Sequence, residues 1–251
     1  MTESQPTLLL VHGHPFDRSM WRPQVERFGA QGWRVLAPDL RGYGENPTPA
    51  AKTPLEVFAG DLVDLLDRLG VNRVVLAGLS MGGQIALEFH RLFRERLAGL
   101  VLADTSAPAE TGQGRKNRTD LADRLLREGM EQYARELLPK MVAAQAPRAV
   151  REHVLHMMRN APVQGAAAAL RGRAERPDYV DMLAEITVPT LVVVGSEDEF
   201  TPLADAQLLH ERIPGSRLAV IDGAGHLPNL ERPAEFDAAL AELLLEARPA
   251  A

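Results

Sequence analysis

Ser80 lies in Gly78-Leu79-Ser80-Met81-Gly82, a G-x-S-x-G sequence. The apolar run Val74-Val75-Leu76-Ala77 leads into it and a helix-type sequence follows at once, so the serine stands at a strand–turn–helix junction. The spacing has a steric reason. A serine at the apex of so tight a turn takes strained dihedrals, and glycine at Gly78 and Gly82 removes Cβ atoms that would collide. The turn lifts the hydroxyl clear of the strand, and the helix from Met81 brings N–H groups and a positive dipole end to the same spot. The chemistry this suits is nucleophilic attack. A serine hydroxyl is a poor nucleophile until a base takes its proton, and neutral imidazole does so near pH 7. His226, in Gly223-Ala224-Gly225-His226, is a candidate base. The alternatives are an incidental serine in a glycine-rich turn and a surface-loop histidine.

Composition narrows the setting. With 45% hydrophobic and 25% charged residues in 251, the chain reads as a globular protein of one or two domains. Aromatics are only 5%, so the core must be built from aliphatic side chains. A formal charge of −6 argues against a nucleic-acid partner, which needs a basic face, and the cluster Arg115-Lys116-Asn117-Arg118 reads as solvated surface. The absence of cysteine excludes disulfides, thiolate metal sites and cysteine nucleophiles. No stretch approaches the length of a membrane span, and the first residues lack a signal-peptide pattern, so a cytoplasmic enzyme with no membrane partner is expected.

The elements that must position Ser80 and His226 follow from periodicity. Continuous apolar runs predict strands at Thr7–Val11, Arg34–Pro38, Arg73–Ala77, Leu97–Ala103, Pro189–Val194 and Ser216–Ile221. Helices are expected over Met20–Ala30, Leu55–Leu69, Met81–Phe93, Ala204–Arg212 and Pro233–Glu246, the second with Val57, Leu62, Leu65, Leu66 and Leu69 on its buried side. Such alternation specifies a mainly parallel sheet covered on both faces. It breaks between residues 107 and 185, where helical periodicities (Leu121–Leu138, Ala149–Arg159, Val163–Arg171) are divided by Pro139, Pro147, Pro162 and Pro177. Residues 1–106 and 186–251 therefore form the core, and 107–185 a helical cap over the carboxyl ends of the strands, where open α/β sheets bind ligands.

Five ordered motifs give the chain a family likeness. They are His12-Gly13-His14-Pro15 with Trp21 downstream, Asp39-x-Arg41-Gly42-x-Gly44, the serine turn, Gly195-x-x-Asp198-x-x-x-Pro202, and Gly223-x-Gly225-His226. From Thr7 to Leu245 the chain resembles the α/β-hydrolases, in particular the small serine hydrolases that include carboxylesterases, cofactor-free haloperoxidase-like perhydrolases and enol-lactonases. The resemblance implies a nucleophile elbow at Ser80, with the chain order Ser, acid, His expected of this fold: Asp198 orients His226, which activates Ser80. Asp104, Glu197 and Glu199 are rival acids; Asp104 is read instead as bonding backbone amides. The oxyanion hole is assigned to the backbone N–H groups of Met81 and His14, with Phe16 as the competitor for the second place; Pro15 has no N–H. The family's initial antiparallel strand pair has no counterpart before Thr7, so a six-stranded, all-parallel sheet is expected.

The pocket is less defined. Leu137, Met141, Met157 and Met158 of the cap, with Phe16 and Leu227 of the core, are candidates for contact with substrate; packing of cap against core explains the methionines equally well. Asp39 and Arg41 are expected to pair locally. His12-x-His14 with Asp17 lacks a second ligand cluster at fitting spacing, and His153 with His156 reads as cap surface, so no metal and no cofactor are expected. The function implied is hydrolysis of a small carboxylic ester or lactone. Perhydrolysis, carbon–carbon bond hydrolysis, and a small-molecule receptor with a slow triad are the alternatives.

Overall fold

The structure, a computed structural model, describes residues 6–46, 48 and 50–247. The reading of the first five residues lies outside them. The apolar runs become β1 (Thr7–Val11), β2 (Arg34–Leu36), β3 (Val74–Leu79), β4 (Leu97–Ala103), β5 (Thr190–Gly195) and β6 (Arg217–Ile221). They form one sheet in the order β2-β1-β3-β4-β5-β6 with every pair parallel. Strands β1, β3 and β5 are buried throughout, whereas the edge strands β2 and β6 are partly exposed. The continuous apolar runs are thus those covered on both faces.

The core helices are α1 (Arg22–Ala30), α2 (Leu55–Arg68) and α3 (Met81–Phe93); α4 (Gly112–Glu128), α5 (Glu131–Met141), α6 (Arg148–Asn160) and α7 (Val163–Ala174) make up the insert; α8 (Leu203–Arg212), α9 (Pro228–Glu231) and α10 (Pro233–Glu246) complete the chain. Alternation along each strand sorts the core into two layers. Leu8, Leu10, Val75 and Val193 pack with Phe28 of α1 and Phe236 of α10, while Leu9, Val11, Leu76 and Val194 pack with Phe58 of α2, Phe89 of α3 and Leu209 of α8.

Three expectations are corrected. Helix α2 buries Leu55, Phe58, Ala59, Leu62 and Leu66, a 3–4 spacing that leaves Val57 and Leu69 36% and 37% exposed. The segment expected as one helix from Leu121 to Leu138 is two, because Gly129 takes φ 77° and ends α4. Pro139, expected to separate helices, lies inside the last turn of α5, while Pro147 and Pro162 do cap α6 and α7.

Helix α7 seats the insert on the core. A Cβ at Gly165 would lie 1.7 Å from the Gly42 carbonyl oxygen, and one at Gly172 would lie 1.8 Å from that of Thr53. The Thr53 N–H also donates to the Ala168 carbonyl at 3.0 Å. Only a side chain of hydrogen permits these backbone approaches, so the glycines fix where α7 lies.

Candidate active site

All strands being parallel, the carboxyl ends of β1, β3, β4, β5 and β6 open on one edge of the sheet. The order reverses between β1 and β3, which is where a doubly wound sheet leaves a crevice. Ser80 follows β3 there with φ 57° and ψ −114°, a conformation that costs a non-glycine residue about 1–3 kcal/mol. Bonds on both sides hold it: its N–H donates to the Ala103 carbonyl at 2.9 Å, and its own carbonyl accepts from Thr105 Oγ1 at 2.8 Å.

The turn tolerates no added bulk. A Cβ at Gly78 would lie 2.1 Å from the Gly82 carbonyl oxygen, and one at Gly82 would lie 2.1 Å from that of Val11. Both obstacles are backbone, which cannot swing aside. Gly82→Ala should therefore destabilise the fold by about 3 kcal/mol or more. Gly60→Ala on α2, where nothing lies within 4 Å, should be neutral or slightly stabilising. Urea unfolding of the two variants checks the contrast; similar midpoints would show that the turn yields.

The loops after β5 and β6 are stitched together. The Glu197 N–H donates to Ala224 O at 2.8 Å, the Ser196 N–H to Ile221 O at 3.0 Å, and the Gly223 N–H to Ser196 Oγ at 2.9 Å. This brings His226 Nδ1 within 2.8 Å of Asp198 Oδ2. Asp198 also accepts from the Phe200 N–H at 2.8 Å and from the Thr201 hydroxyl. Burial raises the Asp198 pKa, but the His226 charge and these hydrogen bonds outweigh it and hold the carboxyl below its ordinary value. An ionised carboxylate only accepts, so Nδ1 of His226 carries the hydrogen and Nε2 keeps a free lone pair.

Asp104, the rival acid, has a different environment. Its Oδ1 accepts from the Gly195 N–H at 2.9 Å, while Oδ2 has no hydrogen-bond partner among the described residues. Burial, reinforced by the Asp198 charge, pushes its pKa well above the usual carboxylate range. The two acids are thus driven apart, one towards the ionised form and the other towards the protonated form. One atom each of Asp104, Asp198 and His226 fall within 4.8 Å of one another, a grouping that also has the dimensions of a cation site. The mutual Asp198–His226 bond already engages the facing atoms of that pair.

On the β1 side, a Cβ at Gly13 would lie 3.2 Å from Ser80 Cβ, so the loop backbone passes directly against the serine. His12 shapes this loop: its Nε2 accepts from the Leu40 N–H at 3.0 Å, leaving Nδ1 to donate to Gly13 O at 2.9 Å. Burial lowers its pKa, in keeping with that neutral tautomer. The Phe16 N–H is committed to the Gly13 carbonyl at 3.1 Å, which disfavours Phe16 as an oxyanion donor relative to His14. His14 Nδ1 and the Tyr43 hydroxyl hydrogen-bond at 2.8 Å. Burial, then Arg173 and Arg118, depress the His14 pKa strongly. Asp39 accepts the N–H groups of Arg18 and Glu45, whereas Arg41 forms a two-pronged pair with Asp61 of α2 at 2.7 and 2.5 Å; the expected Asp39–Arg41 pair does not form.

Ser80, His14 and His226 line one cavity of about 330 Å³ under the helical insert. Of the six expected pocket residues, Leu137 and Met141 line it. Phe16, Met157, Met158 and Leu227 do not; they are buried in the layer that joins α5 and α6 to the core. Sequence reasoning missed Gln84, Arg118, Tyr133, Leu170 and Arg173 in the lining, and Phe200, 5.3 Å from the His226 ring centre. It also missed Glu231, whose Oε1 accepts from the Gly225 N–H at 3.0 Å and whose Oε2 accepts from the Ala143 N–H at 2.8 Å, binding the His226 loop to the insert. No sequence signal marked these beyond side-chain type, except that Gln84 falls one helical turn after Ser80.

A family model described as the alpha/beta hydrolase family matches residues 8–239. The chain belongs to that family. It is similar to 3-oxoadipate enol-lactonase 1 of Acinetobacter baylyi, at 30% identity over 236 residues covering 93% of this chain and 86% of the relative. Among solved structures it is similar to a thermophilic esterase from Thermogutta terrifontis with malate bound, at 40% identity and a TM-score of 0.94, covering 98% of this chain and 92% of that one. The enol-lactonase from Burkholderia xenovorans aligns with a TM-score of 0.89 at 27% identity, covering 97% of this hydrolase and 92% of that chain. Among the described residues, no helix of this hydrolase is long and apolar enough to cross a membrane.

Proposed function

We propose that this chain hydrolyses small carboxylic esters or lactones through an acyl-serine intermediate. The observation that carries the reading is His226, bonded to Asp198 at 2.8 Å and lining the same cavity as a serine held at φ 57°. His226 Nε2 takes the Ser80 proton as Oγ attacks the substrate carbonyl; Asp198 holds the imidazole tautomer and stabilises the imidazolium. The tetrahedral oxyanion is met by the N–H groups of Met81 and His14, each such donor contributing about 3 kcal/mol to lowering the barrier. His226 then gives its proton to the leaving alkoxide. Water, deprotonated by His226, attacks the acyl-serine, and collapse of the second intermediate frees the acid and restores Ser80.

The helical insert, residues 107–185, serves as the cap of this site in the same reading. It supplies Arg118, Tyr133, Leu137, Met141 and Arg173 to the lining. The similarity to esterases and enol-lactonases supports the ester or lactone class. Turnover of short p-nitrophenyl esters tests it. Sustained multiple turnover, many product equivalents per enzyme, is expected; a single slow burst of one equivalent would indicate a receptor with a slow triad.

A further inference from the structure

Arg173, in the last turn of α7, is buried and lines the cavity. Its only side-chain hydrogen bond among the described residues runs from Nε to Gln84 Oε1, at 3.0 Å. No carboxylate among the described residues lies within ion-pairing distance of it. The acid whose charge bears on it, Glu110, is already bonded to Arg118 and, at 2.7 Å, to Arg176. Three guanidiniums therefore share one carboxylate, and two of them, Arg118 and Arg173, line the cavity.

A guanidinium has five N–H donors and does not lose its charge in proteins. Nε is used, which leaves the four N–H groups of the terminal nitrogens without an acceptor among the described residues. Tying α7 to α3 through Gln84 needs one neutral donor, not a buried cation. A buried charge without a partner is costly, and such groups persist where a ligand completes them. The surroundings disfavour that charge in the same sense: burial, then Arg118 and Arg176, push the Arg173 pKa well down.

The position is informative as well. Gln84 is four residues beyond Ser80 on α3, and its N–H donates to the Ser80 carbonyl at 3.1 Å. Side chains four apart on a helix stand about 5–6 Å apart at Cβ. The free guanidinium therefore opens on the same cavity as the reacting serine, with Leu121, Leu137 and Leu170 also in the lining.

We infer that Arg173, with Arg118 beside it, forms an anion subsite that takes a carboxylate carried by the substrate, a few bonds from the scissile carbonyl. This rests on the ester-hydrolase reading and deepens it. The substrate class is a short ester or lactone bearing a free carboxylate, as in half-esters of succinic or glutaric acid. A bidentate guanidinium–carboxylate pair supplies the counter-charge the protein omits.

Two 4-nitrophenyl esters of glutaric acid, one with the distal carboxylate free and one with it capped as a methyl ester, test the subsite. Wild type should favour the free acid at least tenfold in kcat/KM, and Arg173→Gln should reduce that ratio at least tenfold. Equal and measurable turnover of the two esters by wild type, or a ratio unmoved by Arg173→Gln, would overturn the inference. The wild-type comparison needs no variant to fold. Calorimetry with glutarate separates this from the hydrolase reading: binding is expected to Ser80→Ala and to be weakened at least tenfold when Arg173→Gln is added. If neither ester turns over while glutarate still binds through Arg173, the serine assignment fails and the subsite stands. If the capped ester turns over and glutarate does not bind, the subsite fails and the serine assignment stands.

Discussion

Ser80→Ala should lower kcat/KM for a short p-nitrophenyl ester by about 10⁴- to 10⁶-fold while leaving the thermal unfolding transition in place. The size follows from what is removed. Without Oγ there is no acyl intermediate, and only the oxyanion donors and substrate binding remain to accelerate direct attack by water. His226→Ala should cost about as much, since an unactivated serine hydroxyl contributes little near pH 7. The double variant should be no worse than either single one, because the two groups act as a unit. Additive losses would mean that serine and histidine work separately. A Ser80→Ala variant within tenfold of wild type would remove the serine from the chemistry altogether.

Asp198→Asn should cost about 10⁴-fold in kcat for the same ester, and Asp104→Asn less than tenfold. Both acids are buried and both stand near His226, so position alone does not choose between them. Their hydrogen bonds do. Asp198 Oδ2 accepts from His226 Nδ1 at 2.8 Å, and asparagine at that place can offer its N–H₂ and favour the wrong tautomer. Asp104 bonds the Gly195 N–H, which an asparagine carbonyl oxygen accepts as well. Reversal of the two losses would make Asp104 the acid.

Asp104→Asn should act on stability instead, with a defined pH dependence. Its folded pKa is raised, so above the ordinary aspartate value of about 3.9 the native state keeps a proton that the unfolded chain has released. Wild-type stability therefore falls as pH rises from about 4 towards the folded pKa, and asparagine lacks this penalty. Asp198, with its lowered pKa, contributes stability that is lost only as pH falls below that window. The Tm of Asp104→Asn relative to wild type should thus rise between pH 4.5 and 7.5. A constant difference would mean that Asp104 ionises normally in the fold.

The parts of this protein legible in the sequence are those encoded by near neighbours. The elbow glycines, the strand runs and the helices at Met81–Phe93 and Pro233–Glu246 each carry their signal within a few residues. The parallel pairing of the sheet followed from the alternation of elements, but the strand order did not. What escaped depends on partners far apart in the chain. Arg173 meets Gln84 across 89 positions and Glu231 meets Ala143 across 88, and no periodicity encodes such meetings. Met157 and Met158 looked the same as pocket residues would, since an apolar side chain on a cap helix serves packing or substrate depending on how the helix is turned. Arg41 lay two residues from Asp39 but reaches Asp61, because a bidentate partner on a neighbouring helix holds a guanidinium better than an aspartate already used by two backbone amides. Helix α9, at four residues, is shorter than one window of helical periodicity.

The most direct measurement of the serine chemistry is covalent. Wild-type protein treated with a fluorophosphonate probe, digested and mapped by mass spectrometry, should carry one stoichiometric adduct on Ser80, absent from Ser80→Ala and slowed by orders of magnitude in His226→Ala. An adduct on another serine, or undiminished labelling of Ser80→Ala, would contradict the assignment of the nucleophile.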